Sequence, residues 1–360
     1  AETGVSIEAE NTLIIFDEIQ EVPKALTSLK YFYENAPQYA IVAAGSLLGV
    51  ALHQGTSFPV GKVDFLDLYP LNFREFLCAM GEKQFVSMLD SCDTQMVTVF
   101  KTKYIERLRE YYFVGGMPEV VKDFSEKKDY NRVRAIQKNL INYYQQDFSK
   151  HAEIKLVPRL NLVWNSIPMQ LAKENKKYIY GQVREGSRAK DFELAIQWLL
   201  DCGLIHKVQR IQKPDLPLKA YIDFDSFKLF LVDIGLLIAM TDLDAKVIIE
   251  GNKIFTEFKG ALTEQYILQQ LISDVGVIPY YYSTQNSKGE IDFLVQGKTS
   301  VIPIEVKTEE NLKAKSLKAF CEKYQPSYAV RTSMSDYREQ DWMTNIPLYA
   351  VKWIKNYVNQ

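Results

Sequence analysis

Histidine and cysteine are scarce in these 360 residues: three histidines (His53, His151, His206) and four cysteines (Cys78, Cys92, Cys202, Cys321). The histidines are too few for a histidine-rich metal site, and the cysteines lie far apart with no ligand spacing. We read the four as reduced thiols of a cytoplasmic protein. No apolar run approaches the ~20 residues that a membrane-crossing helix needs, so no membrane partner is expected. The first residues lack the basic and apolar regions of a secretion signal, and the chain opens on Ala1 rather than Met, as expected of a processed end. An excess of one charge is missing too. With 43 basic and 45 acidic residues the net charge is −2, which excludes a global basic field and leaves any nucleic-acid surface to be local.

What is present is an ordinary globular composition, 47% hydrophobic and 24% charged, in a chain long enough for two or three domains. Its organising stretch is residues 13–20, Leu-Ile-Ile-Phe-Asp-Glu-Ile-Gln. Four apolar residues with β-favouring side chains suit a parallel strand covered on both faces, ending in two acids. Asp17 and Glu18 then stand at the strand's carboxyl end, where open α/β sheets bind ligands. Pro23 suits the first position of a helix. Leu26, Leu29 and Tyr33 recur at helical spacing up to Asn35, and Pro37 stops the helix. Residues 39–44 read as a second buried strand followed by Gly45-Ser46. Strand, helix and strand make a right-handed crossover that sets Ser46 beside the Asp17 strand. Ser46 either senses a phosphate or belongs to a plain turn.

Three segments together resemble a prokaryotic family of predicted AAA-type ATPases: residues 13–20, the strand end Ala43-Ala-Gly-Ser-Leu-Leu48, and Val60-Gly-Lys-Val followed by Leu68-Tyr-Pro-Leu-Asn-Phe-Arg-Glu-Phe-Leu77. The resemblance implies an N-terminal P-loop domain, a helical and winged-helix middle, and a C-terminal restriction-endonuclease-like domain. It implies Asp17 as the Walker B magnesium acid, Glu18 as the catalytic glutamate, Ser46 as a sensor, and ATP with Mg²⁺ as cofactors. Relatives of this type often assemble as rings, so self-association is expected without a stoichiometry.

Two departures qualify this. The Gly-x-x-x-x-Gly-Lys-Ser/Thr loop should precede Asp17, but Gly4 is the only glycine before Gly45. The backbone cradle and the phosphate-binding lysine, and the first strand with them, are missing from this sequence. Gly61-Lys62 also stands where the family usually reads Gly-Arg, and lysine offers charge but no planar fork to a phosphate. We therefore expect a partial ATPase domain over 1–90 whose nucleotide site, with Lys62 as a phosphate contact, is incomplete and binds ATP poorly.

The middle, 91–245, is helical from 100 to 150, broken by the Gly115-Gly116-Met117-Pro118 turn, which also resembles the family's linker. Residues 125–130 read as a charged connector and 133–150 as a surface helix. Helices over 160–171 and 191–200, then strands over 204–211 and 219–223 flanking 212–217, suggest a winged helix. Arg184, Arg188, Lys190, Lys207, Arg210 and Lys213 could position such a module on DNA phosphates. Asp191, Glu193 and Asp201 on the same helix favour a packing module instead.

Residues 246–360 carry a second constellation. Glu264 sits on the apolar stripe Phe258, Ala261, Leu268, Leu271 of a helix over 256–272, where a carboxylate needs a partner. Strands over 290–295 and 301–307 form a hairpin. Regular alternation turns Asp292, Glu305 and Lys307 away from the apolar positions, so they can converge with Glu264. This resembles the PD-(D/E)xK nuclease pattern, which implies Asp292 and Glu305 as Mg²⁺ or Mn²⁺ ligands, Lys307 as the residue that helps generate hydroxide, and Glu264 as a water-orienting acid. The bland alternative is a cluster of salt bridges in a retained fold. The expected fold is thus α/β and multidomain. Three functions stay open: an ATPase-family protein with an incomplete site, a metal-dependent nuclease, and a non-catalytic DNA-binding or interaction protein.

Overall fold

The computed structural model describes residues 7–45, 61–173, 176–250, 256–284, 289–309 and 314–360. The chain divides into two compact units, 1–68 with 193–205 and 69–192 with 206–360.

In the first unit, β1 (Leu13–Phe16) and β2 (Ala40–Ala43) pair in parallel, Leu13 opposite Ala40 and Phe16 opposite Ala43. Helix α1 (Pro23–Asn35) crosses between them with proline in its first turn, as the sequence suggests. Phe32 of the helix packs on Phe16, ring centres 6.0 Å apart. The pairing extends past the strands, because Ala44 N–H donates to Phe16 O and Ile19 N–H to Ala44 O. One expectation is corrected here. Leu13, Ile15 and Val42 are exposed, so β1 and β2 are covered on one face and not on both. Two strands under a single crossover helix leave alternate side chains in solvent.

The second unit begins with α2 (Phe73–Ala79). Asn72 starts it with a capping box: its side chain accepts from Glu75 N–H at 3.0 Å, and Glu75 accepts from Asn72 N–H at 2.9 Å. Helices α3 (Lys83–Asp90), α4 (Thr94–Val99), α5 (Lys101–Val114), α6 (Pro118–Lys127), α7 (Tyr130–His151) and α8 (Val157–Leu171) follow, then α9 (Tyr180–Val183) and the start of α10 (Ala189–Asp201), whose residues from 193 on belong to the first unit. After strands β3 (Ile205–Ile211) and β4 (Ile222–Leu231) come α11 (Ile234–Met240), α12 (Ala245–Ile249) and α13 (Thr256–Gln270). The remainder is β5 (Tyr280–Ser283), β6 (Glu290–Gln296), β7 (Val301–Val306), α14 (Lys315–Tyr324), β8 (Val330–Ser333), β9 (Arg338–Glu339), β10 (Thr344–Pro347) and α15 (Ile354–Val358).

The helices and the hairpin of the expected middle region are present, but the hairpin's setting differs. Strands β3 and β4 are not a free wing. They form one end of an eight-stranded sheet in the order β4-β3-β5-β6-β7-β8-β10-β9, with β3 parallel to β5. Strands from before and after residue 245 thus share one sheet. The reason is burial. From Ser226 to Leu231 every residue of β4 is buried, whereas a wing strand would keep one face wet.

A second difference concerns α13, which is buried on every side from Ala261 to Leu271 and is no amphipathic surface helix. Its glutamines serve backbone groups that would otherwise be orphaned. Gln265 accepts from Leu231 N–H at 3.0 Å and donates to Leu231 O at 2.7 Å. Gln269 accepts from Ile234 N–H at 3.1 Å, and Gln270 from Phe73 N–H at 2.8 Å. Beside them Asp233 caps α11 through Leu236 N–H and accepts Gly116 N–H at 2.6 Å. That approach explains the Gly115-Gly116 pair. A Cβ on Gly116 would lie 2.1 Å from Leu71 O, and Gly115 has φ +75° with Asp233 2.2 Å from where its Cβ would be.

Gly116→Ala is accordingly expected to destabilise the protein by about 3 kcal/mol, since the obstructing atom is backbone. Gly181→Ala, with nothing within 4 Å of a Cβ, should stay within about 1 kcal/mol of the parent. Urea unfolding midpoints of the two variants check the contrast.

Candidate functional site

The first group of candidate residues lies where β1 ends. Asp17 and Glu18 follow the strand directly, at the carboxyl edge of the parallel pair. Glu18 is held in the left-handed region at φ 47° and ψ 44°, where few non-glycine residues sit. Its N–H donates to Asp17 Oδ1 at 3.0 Å, and its carboxylate accepts from the Gln20 amide. Ser46 lies outside the described residues. Lys62 is placed elsewhere: its Nζ is 4.6 Å from the Tyr33 ring centre and 3.9 Å from Glu34 Oε1. Both partners are in the last turn of α1. That helix runs back from the Asp17 edge, so Lys62 stands at the opposite edge of the strands.

The second group lies in the second unit. Glu264 is only 5% exposed, and its carboxylate binds the Lys176 ammonium and lies 3.6 Å from Lys228 Nζ. Lys228 has no exposure at all and reaches Glu290 at 2.5 Å. Burial alone would raise the Glu264 carboxyl, but the two ammonium groups outweigh it and hold the carboxyl below its ordinary range. Burial would likewise strip Lys228 of its proton, and the fields of Glu264, Glu290 and Asp292 reverse that, raising it instead. Asp292 is pushed up to about 7, first by burial and then by Glu264, against Lys228, Lys176 and a bond from Val306 N–H at 2.7 Å.

Glu305 and Lys307 form a separate pair, 2.7 Å apart. Glu305 is buried, and its charge helps push the Cys321 thiol of α14 up to about 11, after burial itself. A bulge lies in β6 beside this pair. Tyr282 pairs with Ile291 but Tyr280 pairs with Leu294, so β6 carries one extra residue at Asp292 or Phe293. Ile291 and Leu294 both join the core against Leu317 and Phe320, which strict alternation forbids. The structure brings Glu264 and Asp292 together, pairs Glu305 with Lys307, and sets the Asp292 carboxylate on Val306 N–H between those two residues. Among the described residues no three Asp, Glu, His or Cys side chains converge as a metal-ligand set.

Sequence reasoning missed Lys176, Lys228 and Glu290. Lys228 had a signal: it interrupts the apolar run Phe227-Lys-Leu-Phe-Leu-Val232, and a lysine buried there must meet an acid. Lys176 had none, because its meeting with Glu264 spans 88 positions.

The basic residues of the expected wing are also engaged. Arg210 binds Asp223 at 2.6 Å, Lys213 binds Asp215 at 2.7 Å, and Lys207 lies 4.3 Å from the Phe227 ring centre.

Comparison with known families agrees with the N-terminal reading at a coarse level. Residues 2–77 match the family described as an AAA domain, which supports a relation to AAA-type ATPases. Residues 105–247 and 259–351 match two domains of unknown function, DUF8612 and DUF4143. No curated protein and no solved structure matches the chain. No helix among the described residues is long and apolar enough to cross a membrane.

The Asp292 environment sets a pH dependence. A carboxyl raised in the folded state adds stability that is full below its unfolded value, near 4, and is lost as pH rises through about 7. In the presence of a chelator, the parent protein should therefore lose stability relative to Asp292→Asn between pH 4.5 and pH 7.5. Urea unfolding at both values measures this; parallel profiles would contradict it.

Proposed function

We propose that residues 7–45 form the magnesium-and-water edge of an AAA-type nucleotide site, with Asp17 as the magnesium acid and Glu18 as the water-orienting acid. The observation that carries this is the parallel register of β1 and β2, which presents both acids at the strands' carboxyl edge. The AAA-domain match over 2–77 supports it, as does the left-handed backbone of Glu18, a conformation often kept for function. The donor set fits Mg²⁺, which is commonly held by one or two carboxylates with its remaining ligands from water and phosphate. When bound, the ion would offset phosphate charge. Asp17 would hold it, and Glu18 would accept a proton or hydrogen bond at its carboxylate. Ser46 joins this proposal by resemblance only, as a sensor beyond β2, and Lys62 is left out of it by its position.

The fit to the nucleotide is incomplete. The 360 residues hold no glycine-rich loop with its lysine ahead of Asp17, so nothing here cradles the β- and γ-phosphates. Mn²⁺, as a paramagnetic substitute, should broaden the amide signals of residues 17–20 and 44 in the parent and not in Asp17→Ala. Calorimetry with Mg²⁺ and ATP should give a Kd weaker than about 1 mM. Unbroadened signals at millimolar Mn²⁺, or micromolar ATP binding that survives Asp17→Ala, would contradict the reading.

A second reading has its own support. The buried oxygens Glu264 Oε2 and Glu305 Oε2 have no hydrogen-bond donor among the described residues, and buried carboxylate oxygens of this kind suit a hard divalent cation. On that basis Glu305 is a proposed ligand for Mg²⁺ or Mn²⁺ in a nuclease-like role, and Asp292 joins it by resemblance to the PD-(D/E)xK pattern. Glu264 would orient a water, and Lys307, beside Glu305, would manage a proton. Lys176 and Lys228 weigh against it by already neutralising Glu264. Calorimetric Mn²⁺ binding that Asp292→Ala and Glu305→Ala each abolish would uphold this reading. No heat from the parent chain would leave the cluster as a structural ion network. DNA binding through the wing draws no comparable support, because Lys213 is paired with Asp215, Lys207 lies over the Phe227 ring, and Arg210 is partly committed to Asp223.

A further inference from the structure

The parallel strands β3 and β5 pair at only two positions, Arg210 with Tyr281 and Ile211 with Tyr282, and then part. Beyond Ile211 the chain leaves through residues 212–217. Beyond Ser283 it turns back into β6, with Thr284 N–H donating to Gly289 O at 3.0 Å. Adjacent parallel strands that diverge at their carboxyl ends open a crevice, and in α/β sheets that crevice is where ligands bind. Here it is a groove of about 500 Å³, lined from the strands by Arg210, Gln212, Tyr282, Ser283 and Thr284. The end of α14 closes it with Lys323 and Tyr324.

Among the described residues the lining carries two cations and no carboxylate, and the Asp223 carboxylate behind the groove binds one edge of Arg210. Arg210 gives Nε and Nη2 to Asp223, at 2.9 and 2.6 Å, which leaves the rest of its guanidinium fork unassigned. Lys323 lies over the Tyr324 ring, 4.8 Å from its centre, and forms no ion pair among the described residues. The Tyr282 and Tyr324 hydroxyls meet at 2.8 Å. Burial, which would raise the Tyr324 hydroxyl, is outweighed by hydrogen bonds from Lys323 and Tyr282 that lower it. The Thr284 hydroxyl oxygen is buried and has no hydrogen-bond partner among the described residues, a cost that a ligand oxygen would remove.

We propose that this groove binds a small phosphorylated ligand of mononucleotide size, its phosphate held by Arg210 and Lys323 and its remainder against Tyr282 and Tyr324. The volume falls within the range of small-molecule sites. A guanidinium and an ammonium together match a phosphate dianion. None of its lining residues belongs to the Glu264–Asp292 cluster.

Calorimetric titration of the full chain with adenosine monophosphate in low-salt chloride buffer tests this, with inorganic phosphate as competitor. Saturable binding is expected, displaced by phosphate and weakened at least tenfold by Lys323→Ala, with Lys323→Arg restoring part of it. Lys323 is exposed, so an unchanged unfolding midpoint shows that the fold is intact, and Thr284→Val gives an independent weakening. Absence of saturation, binding that phosphate does not displace, or binding indifferent to both Lys323→Ala and Thr284→Val would overturn the proposal.

Discussion

The buried carboxylate of Asp233 is the constraint on which the second unit depends. It has no exposure, and burial alone drives its carboxyl up. N–H groups of Gly116, Leu236 and Gly235 and the Gln269 amide counter that drive without abolishing it. A carboxyl in such a place is costly unless its lone pairs are filled. Filling them brings the 114–117 turn against the start of α11, and only glycine allows the approach: a Cβ on Gly235 would stand 2.5 Å from Val114 O. Around this point Tyr111 donates to Leu71 O at 2.6 Å, and Gln269 and Gln270 both reach the Tyr111 hydroxyl. Segments from residue 71 to residue 270 are thereby tied to one buried polar network. Such networks are stabilising when every member is satisfied and damaging when one is not.

The same economy of paired charge governs the cluster near β6. Lys228 is buried without exposure and stays charged because Glu264, Glu290 and Asp292 surround it. Taking one charge away leaves the others uncompensated, which makes the set interdependent. The acids that resemble a nuclease constellation are therefore also structural. Their chemistry depends on whether a divalent cation can compete with the two ammonium groups already present. At the Asp17 edge the situation differs: Asp17 and Glu18 are exposed.

Much of the local architecture was legible from sequence. The apolar run 13–16 ending in two acids, Pro23 and Pro37 gave β1, α1 and β2 almost to the residue, because each signal acts within a few positions. The hairpin β6–β7 and the burial of Glu264 were legible by periodicity for the same reason. The merger of β3 and β4 with the C-terminal strands was not. It rests on a register between Arg210 and Tyr281 that no local pattern encodes. The extra residue in β6, at Asp292 or Phe293, breaks strict alternation in a way that no local pattern announces. The roles of Gln265, Gln269 and Gln270 were not legible, since each depends on a backbone group far along the chain. The Gly115-Gly116 turn was visible, but its reason, Asp233, lies more than a hundred residues away.

Hydrogen exchange followed amide by amide tests the central claim, that the middle and C-terminal segments are one cooperative unit built on Asp233 and the glutamines of α13. The amides of Phe73, Gly116, Leu231 and Ile234 each donate to one of these side chains. If the account is right, all four exchange with the same opening free energy, that of global unfolding of the unit. If Phe73 and Gly116 exchange through a cheaper local opening while Leu231 and Ile234 stay protected, the segments are separate modules and the account is wrong.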